Sequence, residues 1–174
     1  MKIPALACAL FCLFIPTKGK PAQASSNSDV LNAEAKKFLD YSRDFLDVRR
    51  ALTNEHLGES LDYQIALELM EVASHNNERS SLLGSLLAVY EGTDCSERHA
   101  AHHMMVSEEI LTASRQIDND IRAVQIDIND THKPGLAAEA LRMKDDLRAL
   151  KEKLEQIRQS LDQGQRGARR QNKN

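Results

Sequence analysis

The sequence contains no tryptophan, and aromatic residues make up only 4% of its 174 residues. Its commonest residues include Leu, Ala, Glu, Asp, Lys, Arg and Gln, which favour helices and coiled coils over sheets. This composition predicts an all-α protein.

Cysteine is almost as scarce. Cys8 and Cys12 lie in an apolar N-terminal run, which leaves Cys95 as the only thiol farther along the chain. A single cysteine cannot form an internal disulfide, so we expect the fold to depend on packing alone. A disulfide between the Cys95 residues of two copies is the alternative role for this thiol.

No apolar run is long enough to span a membrane. After Lys2, the apolar stretch at residues 3–15 falls short of the roughly 20 residues that a spanning helix needs. Ala22 and Ala24 fit the small-residue positions of a signal-peptidase site. We therefore expect residues 1–24 to be a cleaved signal peptide and the mature chain to be periplasmic or secreted, without a transmembrane anchor. An uncleaved short anchor is the alternative.

Charge divides the rest of the chain into two parts. Residues 25–163 hold 16 basic and 26 acidic residues, a net charge of −10, so we expect no nucleic-acid binding there. Residues 164–174 have four basic residues, no acidic residue and almost no apolar side chain, which predicts a disordered basic tail. This tail is expected to bind the acidic body or an anionic envelope surface. Its basic residues are Arg166, Arg169, Arg170 and Lys173.

Apolar spacing predicts a long helical hairpin over residues 94–163. Seam positions alternate four and three apart over residues 103–128 and again over residues 136–161. Each seam residue has a mirror partner about His132, as Ile128 has Leu136. This is the register of an antiparallel coiled coil.

A weaker repeat predicts another antiparallel hairpin over residues 29–91. Its first arm carries apolar residues at steps of seven, and Gly58 is the expected end of that arm. Leu61 and Leu82 count among the apolar positions of the second arm. Residues 74–81 are polar but contain neither Pro nor Gly, so we expect the second arm to continue through them with a solvated waist.

Together the hairpins predict one all-α domain, residues 25–163, with a four-helix bundle-like core. Met104, Met105, Val106 and Leu111 are apolar off the seam, so another surface is expected to cover them. Off-seam positions farther along are mostly charged. The second hairpin is therefore expected to extend beyond the core as an antiparallel coiled coil.

A metal site is one candidate for chemistry. Cys95, His99, His102 and His103 lie within nine residues at helical spacing, and thiolate with imidazole suits copper or zinc. A fourth ligand, His75 or His56, would have to come from another helix. The first expectation is no cofactor and a partly exposed His-rich helical turn, with a copper or zinc ion as the alternative.

An acidic patch on the second hairpin is the other candidate. One flank of the seam is expected to set four carboxylates against one another, while the other flank sets an Asp opposite Lys144 and Lys151. Such a patch would meet a basic partner or divalent cations, and a solvated acidic face is the alternative. The patch comprises Asp118, Asp120, Asp127, Asp130, Glu139 and Asp146.

Catalytic motifs are missing: the chain has no H-E-x-x-H, glycine-rich phosphate loop, G-x-S-x-G or C-x-x-C. We therefore expect an exported helical-hairpin binding or assembly protein of a bacterial envelope, adaptor or chaperone-like, and not an enzyme. Its partner would be an envelope protein or a second copy. A periplasmic metal-binding or metal-sensing protein is the alternative. The architecture is similar to small periplasmic helical-hairpin chaperones and metal sensors, but no motif carries a site over.

Expression of the full chain in a bacterial host should yield a periplasmic protein whose intact mass corresponds to a chain that begins at Ser25. The Ala24→Arg variant should keep residues 1–24, because the peptidase needs a small residue before the cut. Cell fractionation and mass spectrometry check both outcomes. A wild-type product in the periplasm that retains residues 1–24 would contradict the predicted cleavage.

Overall fold

The computed structural model describes residues 26–92 and 96–171, except for the side chains of residues 96–100 and 165–171. Four helices and no strand occur in these residues. The expected signal peptide lies outside them. The predicted all-α class with two hairpins is confirmed. The helices are α1 (Asn27–Asn54), α2 (Leu61–Glu91), α3 (Ser96–Asp130) and α4 (Pro134–Gln171).

The helix ends follow from local sequence signals. Ser26 forms a capping box with Asp29 at the start of α1, and the Ser60 hydroxyl accepts from the Tyr63 amide at the start of α2. Helix α1 ends at Asn54, and His56 with φ 62° makes the reversal that we expected near Gly58. Pro134 opens α4, where its missing N–H costs no helical hydrogen bond.

The four helices surround one apolar core. Helix α1 packs along α2 and α3 packs along α4, while α2 also contacts α3 and α1 also contacts α4. The seams of both predicted hairpins supply most of the core. Leu61 and Leu82 are exceptions, because they are 55% and 57% exposed. The fully buried seam residues of α1 are Leu31, Phe38, Phe45 and Leu52.

Cross-helix hydrogen bonds confirm the register of the second hairpin. Lys151 Nζ lies 2.6 Å from Asp118 Oδ1, and Lys144 Nζ donates to Gln125 Oε1 at 2.7 Å.

In the first hairpin, Gly84 allows α1 and α2 to approach closely, since a Cβ there would lie 2.7 Å from Asn32 Oδ1. A larger residue at this position would force the Asn32 side chain to move.

Helix α2 is continuous through residues 74–81, as predicted, but one side of this segment is buried. Asn76 is 0% exposed and Ser80 is 1% exposed, whereas His75 and Glu78 are exposed. The expectation of a solvated waist is therefore wrong for the side that carries Asn76, because Asn76 contacts Asp120 of α3.

The tip of the second hairpin lies against the first hairpin and does not project. Asp62 accepts hydrogen bonds from Thr131 Oγ1 at 2.6 Å and from the His132 amide at 2.9 Å. Lys133 Nζ also lies 2.7 Å from Glu55 Oε2. The expected projection is therefore wrong, since α3 and α4 accompany α1 and α2 to this end. We call residues 55–62 and 131–133 the turn end.

The opposite end carries more exposed apolar surface than expected. Val106 is fully buried, but Met104, Met105 and Leu111 are 61%, 43% and 38% exposed. The expectation that another surface covers these three is wrong, because α2 contacts only one flank of α3. Helix α4 continues to Gln171, beyond residue 163, where the second hairpin was predicted to end. We call this end, around residues 90–92, 101–105 and 158–164, the base.

None of the helices in the described ranges has the length and apolarity that crossing a membrane requires.

The Ile117→Asp substitution should unfold all four helices together. Ile117 is 0% exposed and belongs to the core that both hairpins share, so a carboxylate there should cost roughly 3–5 kcal/mol. Ile126→Asp is the matched control, because Ile126 is 59% exposed and should change stability by less than about 0.5 kcal/mol. Circular dichroism and hydrogen exchange measure both. Loss of protection in α3 and α4 alone would contradict a shared core.

Candidate functional site

The two histidines of the predicted Cys/His cluster whose side chains are described point in different directions from α3. Cys95 lies outside the described residues, and so does the side chain of His99. His102 and His103 are neighbours on α3 and therefore point about 100° apart. No group of three or more His, Cys, Asp or Glu side chains within the described residues is arranged to hold a metal.

His103 meets residues of two other helices. It is 7% exposed, its ring lies 6.3 Å from the Tyr90 ring, and its Nε2 lies 3.4 Å from Asp162 Oδ1. Neither His103 Nε2 nor His102 Nδ1 has a hydrogen-bond partner among the described residues. The structure thus brings His103 together with Asp162, which the sequence reasoning had missed. The signal was available, since Asp162 follows Leu161, the mirror partner of His103.

Asp120 lies in the contact between α2 and α3. Asn76 Nδ2 and Arg79 Nη1 donate to its Oδ2 at 2.8 and 3.0 Å, and Arg79 also donates to Asn76 Oδ1. The Asp120 and Arg79 side chains are only 20% and 18% exposed. Their charges therefore neutralise each other inside the protein, and Asp120 does not lie on an exposed surface where a partner protein could bind it.

Asp146 lies in the contact between α4 and α1. The Tyr41 hydroxyl donates to Asp146 Oδ2 at 2.7 Å, and Lys37 Nζ lies 3.4 Å from Oδ1. Burial and the bond to Asp146 raise the pKa of Tyr41, so the hydroxyl keeps its proton. About two helical turns farther along α4, Lys153 donates to Glu34, a carboxylate that is 2% exposed.

The remaining carboxylates of the predicted patch point elsewhere. Glu139 pairs with Arg142 on its own helix, Asp118 pairs with Lys151, and Asp130 is exposed near the turn end. Only the Asp118 pairing with Lys151 matches the expected arrangement. Four carboxylates do not face one another across the seam, because α1 and α2 separate them. The side chains of Arg166, Arg169 and Arg170 are not described, and Lys173 lies outside the described residues.

Asp127 is the one carboxyl group of the predicted patch that is buried without a countercharge among the described residues. It is 5% exposed, and its Oδ2 has no hydrogen-bond partner there. Burial, followed by the nearby charges of Glu68 and Asp130, raises the pKa of Asp127 to about 6. Its carboxyl group therefore titrates between the pH of mildly acidic and neutral solutions.

One of the surface grooves lies between α2 and α3. It has a volume of about 450 Å³, and Leu82 projects into it with 57% of its surface exposed. Glu78 and Glu109 stand on opposite sides, and neither forms an ion pair within the described residues. The other lining residues are His75, Arg79, Thr112 and Gln116.

The groove was missed because it lies off both seams. Leu82 had been counted among the apolar positions of the second arm, together with its neighbour Leu83. The helix angle between neighbours is about 100°, so Leu83 enters the core while Leu82 does not. A strict three-and-four spacing test on α2 would have excluded Leu82 from the core.

The Asp120→Asn and Asp127→Asn variants should change stability in opposite directions at pH 7. Losing the charge of Asp120 leaves Arg79 without its countercharge and should cost about 1–2 kcal/mol. Asp127 has a folded-state pKa of about 6, against 3.8 for an ordinary Asp. It therefore destabilises the fold as the pH rises from about 4 to 6, and its replacement should stabilise by on the order of 2 kcal/mol at pH 7.

Urea denaturation at pH 4 and pH 7 measures both variants against the wild type. At pH 4 the gain from Asp127→Asn should shrink, because Asp127 is then largely protonated in the folded state. A gain of equal size at both pH values would contradict the raised pKa.

Comparison with other proteins adds no assignment. No protein-family model matches the chain, and neither a curated protein nor a solved structure matches it.

Proposed function

We propose that this protein is an exported, non-enzymatic binding and assembly factor of a bacterial envelope, which docks a basic amphipathic helix of a partner protein. The exposed apolar side chain of Leu82 between the carboxylates of Glu78 and Glu109 carries the proposal. Export is supported by the signal-like residues 1–24.

The groove has the shape that a helix requires. Two antiparallel helices form its walls, and a third helix packs along such a pair with its apolar side chains inserted between them. On α2 the residues at three- and four-residue steps from His75 share this face, so the apolar floor continues from Leu82 to Leu86 and Val89. On α3 the same spacing adds Met105, which is 43% exposed. The face from His75 to Val89 is about 21 Å long, which accommodates about four helical turns.

The negative charge around the groove favours a basic partner helix. Glu78 and Glu109 are exposed, whereas the cation on the groove floor, Arg79, is already paired with Asp120. Residues 25–163 as a whole carry a net charge of −10. A partner helix with Lys or Arg beside its apolar stripe therefore finds both hydrophobic contact and countercharge, while an acidic helix is repelled.

A synthetic helix of about 18 residues, with leucines at alternating three- and four-residue steps and lysines beside them, should bind the mature protein. The Leu82→Glu variant should weaken this binding by at least about tenfold, because burial of one leucine contributes roughly 1.5–3 kcal/mol. Leu141→Glu is the matched control, since Leu141 is a leucine on α4 that is 45% exposed. Fluorescence anisotropy of the labelled peptide gives the affinities.

The same peptide with glutamate in place of lysine tests the charge argument. It should bind at least about tenfold more weakly, and Glu78→Lys with Glu109→Lys should reverse the order of the two peptides. Equal binding of both peptides would contradict the proposal, and so would an equal loss in Leu82→Glu and Leu141→Glu. Sedimentation of the protein alone reports self-association, and loss of self-association in Leu82→Glu would show a second copy in the groove instead of a basic helix.

A further inference from the structure

A cavity beside the turn end separates the last turns of α1 from the first turn of α4. It has a volume of about 460 Å³, within the range of about 300–1,000 Å³ that is usual for small-molecule sites. Helix α1 supplies Val48, Ala51 and Leu52 to its lining. The rest of the lining comes from the chain that leads into α4, namely His132, Lys133, Pro134, Gly135 and Leu136.

The interior of this cavity is apolar. Leu52 and Leu136 are 1% and 3% exposed and belong to the shared core, so they form the floor. Val48 packs against the same core and is half-buried. Ala51 and Gly135 are small, and a Cβ on Gly135 would meet no atom within 4 Å, so the space between α1 and α4 stays open. Covering such an apolar surface with an apolar chain is favourable.

The charge of the lining is positive, in contrast to the acidic groove between α2 and α3. Lys133 and His132 are its titratable residues, and no Asp or Glu among the described residues lines it, whereas the groove carries Glu78 and Glu109. Lys133 Nζ lies 2.7 Å from Glu55 Oε2, but Lys133 is 37% exposed and its ammonium group has three donors. It can therefore donate to a further acceptor at the rim of the cavity.

An apolar interior with a cation at the rim fits a ligand that has an apolar chain and an anionic head. We propose that this cavity binds a small anionic amphiphile of the fatty-acid type, with its chain against Leu52 and Leu136 and its carboxylate beside Lys133. The carboxylate accepts a charge-assisted hydrogen bond from Lys133 Nζ. Because α1 and α4 form opposite walls, the bound ligand links the two hairpins and stabilises the fold.

Isothermal titration of the mature protein with sodium decanoate at pH 7, below the concentration at which it forms micelles, tests the site. Gly135→Leu and Ala51→Phe place a side chain in the cavity and should each weaken binding by at least about tenfold. Gly164→Leu is the matched control, because Gly164 is a glycine of α4 at the base whose Cβ would also meet no atom within 4 Å. Neither glycine has a positive φ, so the backbone accepts leucine at both positions.

A cationic amphiphile with the same chain tests the charge argument. Decyltrimethylammonium should bind at least about tenfold more weakly than decanoate, and Lys133→Gln should reduce this difference. Decanoate should also raise the Tm of the wild type and of Gly164→Leu, but not of Gly135→Leu.

Absence of decanoate binding by the wild type would overturn the proposal, and so would equal affinities of Gly135→Leu and Gly164→Leu. Equal binding of decanoate and decyltrimethylammonium would overturn the anionic class of ligand. A membrane lipid also combines an apolar chain with an anionic head, so sedimentation with phosphatidylglycerol vesicles is the second arm. Vesicle binding that Gly135→Leu abolishes, without any binding of decanoate, would overturn a free ligand. The cavity shares no lining residue with the groove at Leu82, so its failure does not affect the proposed docking of a helix.

Discussion

The contact of Asp120 with Arg79 and Asn76 determines how the two hairpins lie against each other. Each hairpin has its own apolar seam, and apolar side chains alone would tolerate sliding by one helical turn. Asp120 favours the position in which Arg79 and Asn76 reach it, because a shift would leave a largely buried carboxylate without its countercharge. The hydrogen bonds of Asp62 with Thr131 and His132 fit the same register, and so does the groove between α2 and α3.

Much of the fold could be predicted because seam spacing is a property of each hairpin alone. Residues that repeat at three and four along one helix must share a face, and a mirror axis near His132 requires an antiparallel partner. Continuity of α2 through residues 74–81 was predictable for a similar reason, since that segment contains no helix breaker. These are local constraints, and the structure confirms them.

Packing between the hairpins could not be predicted in the same way. It uses polar residues whose partners lie far away in the chain, so Asn76 was interpreted as solvated and Asp120 as part of an exposed patch. Asn76 and Asp120 can be buried because they form a hydrogen bond with each other. The residue spacing within a single helix does not reveal such a partner. The candidate sites show the same division. The seam register could have predicted that Asp162 lies near His103, because Asp162 follows the mirror partner of His103. The groove at Leu82 could not be predicted in this way, because it depends on which helix packs beside α2.

The sequence separations of these contacts have a consequence for assembly of the fold. Arg79 and Asp120 are 41 residues apart in the chain, whereas Glu34 and Lys153, which join α1 to α4, are 119 apart. Loop-closure entropy grows with the logarithm of separation, so the second contact costs about 1 kcal/mol more to close. The contact between α1 and α4 is therefore favoured only after α1 has paired with α2 and α3 with α4, because those nearer pairings shorten the loop that remains to be closed.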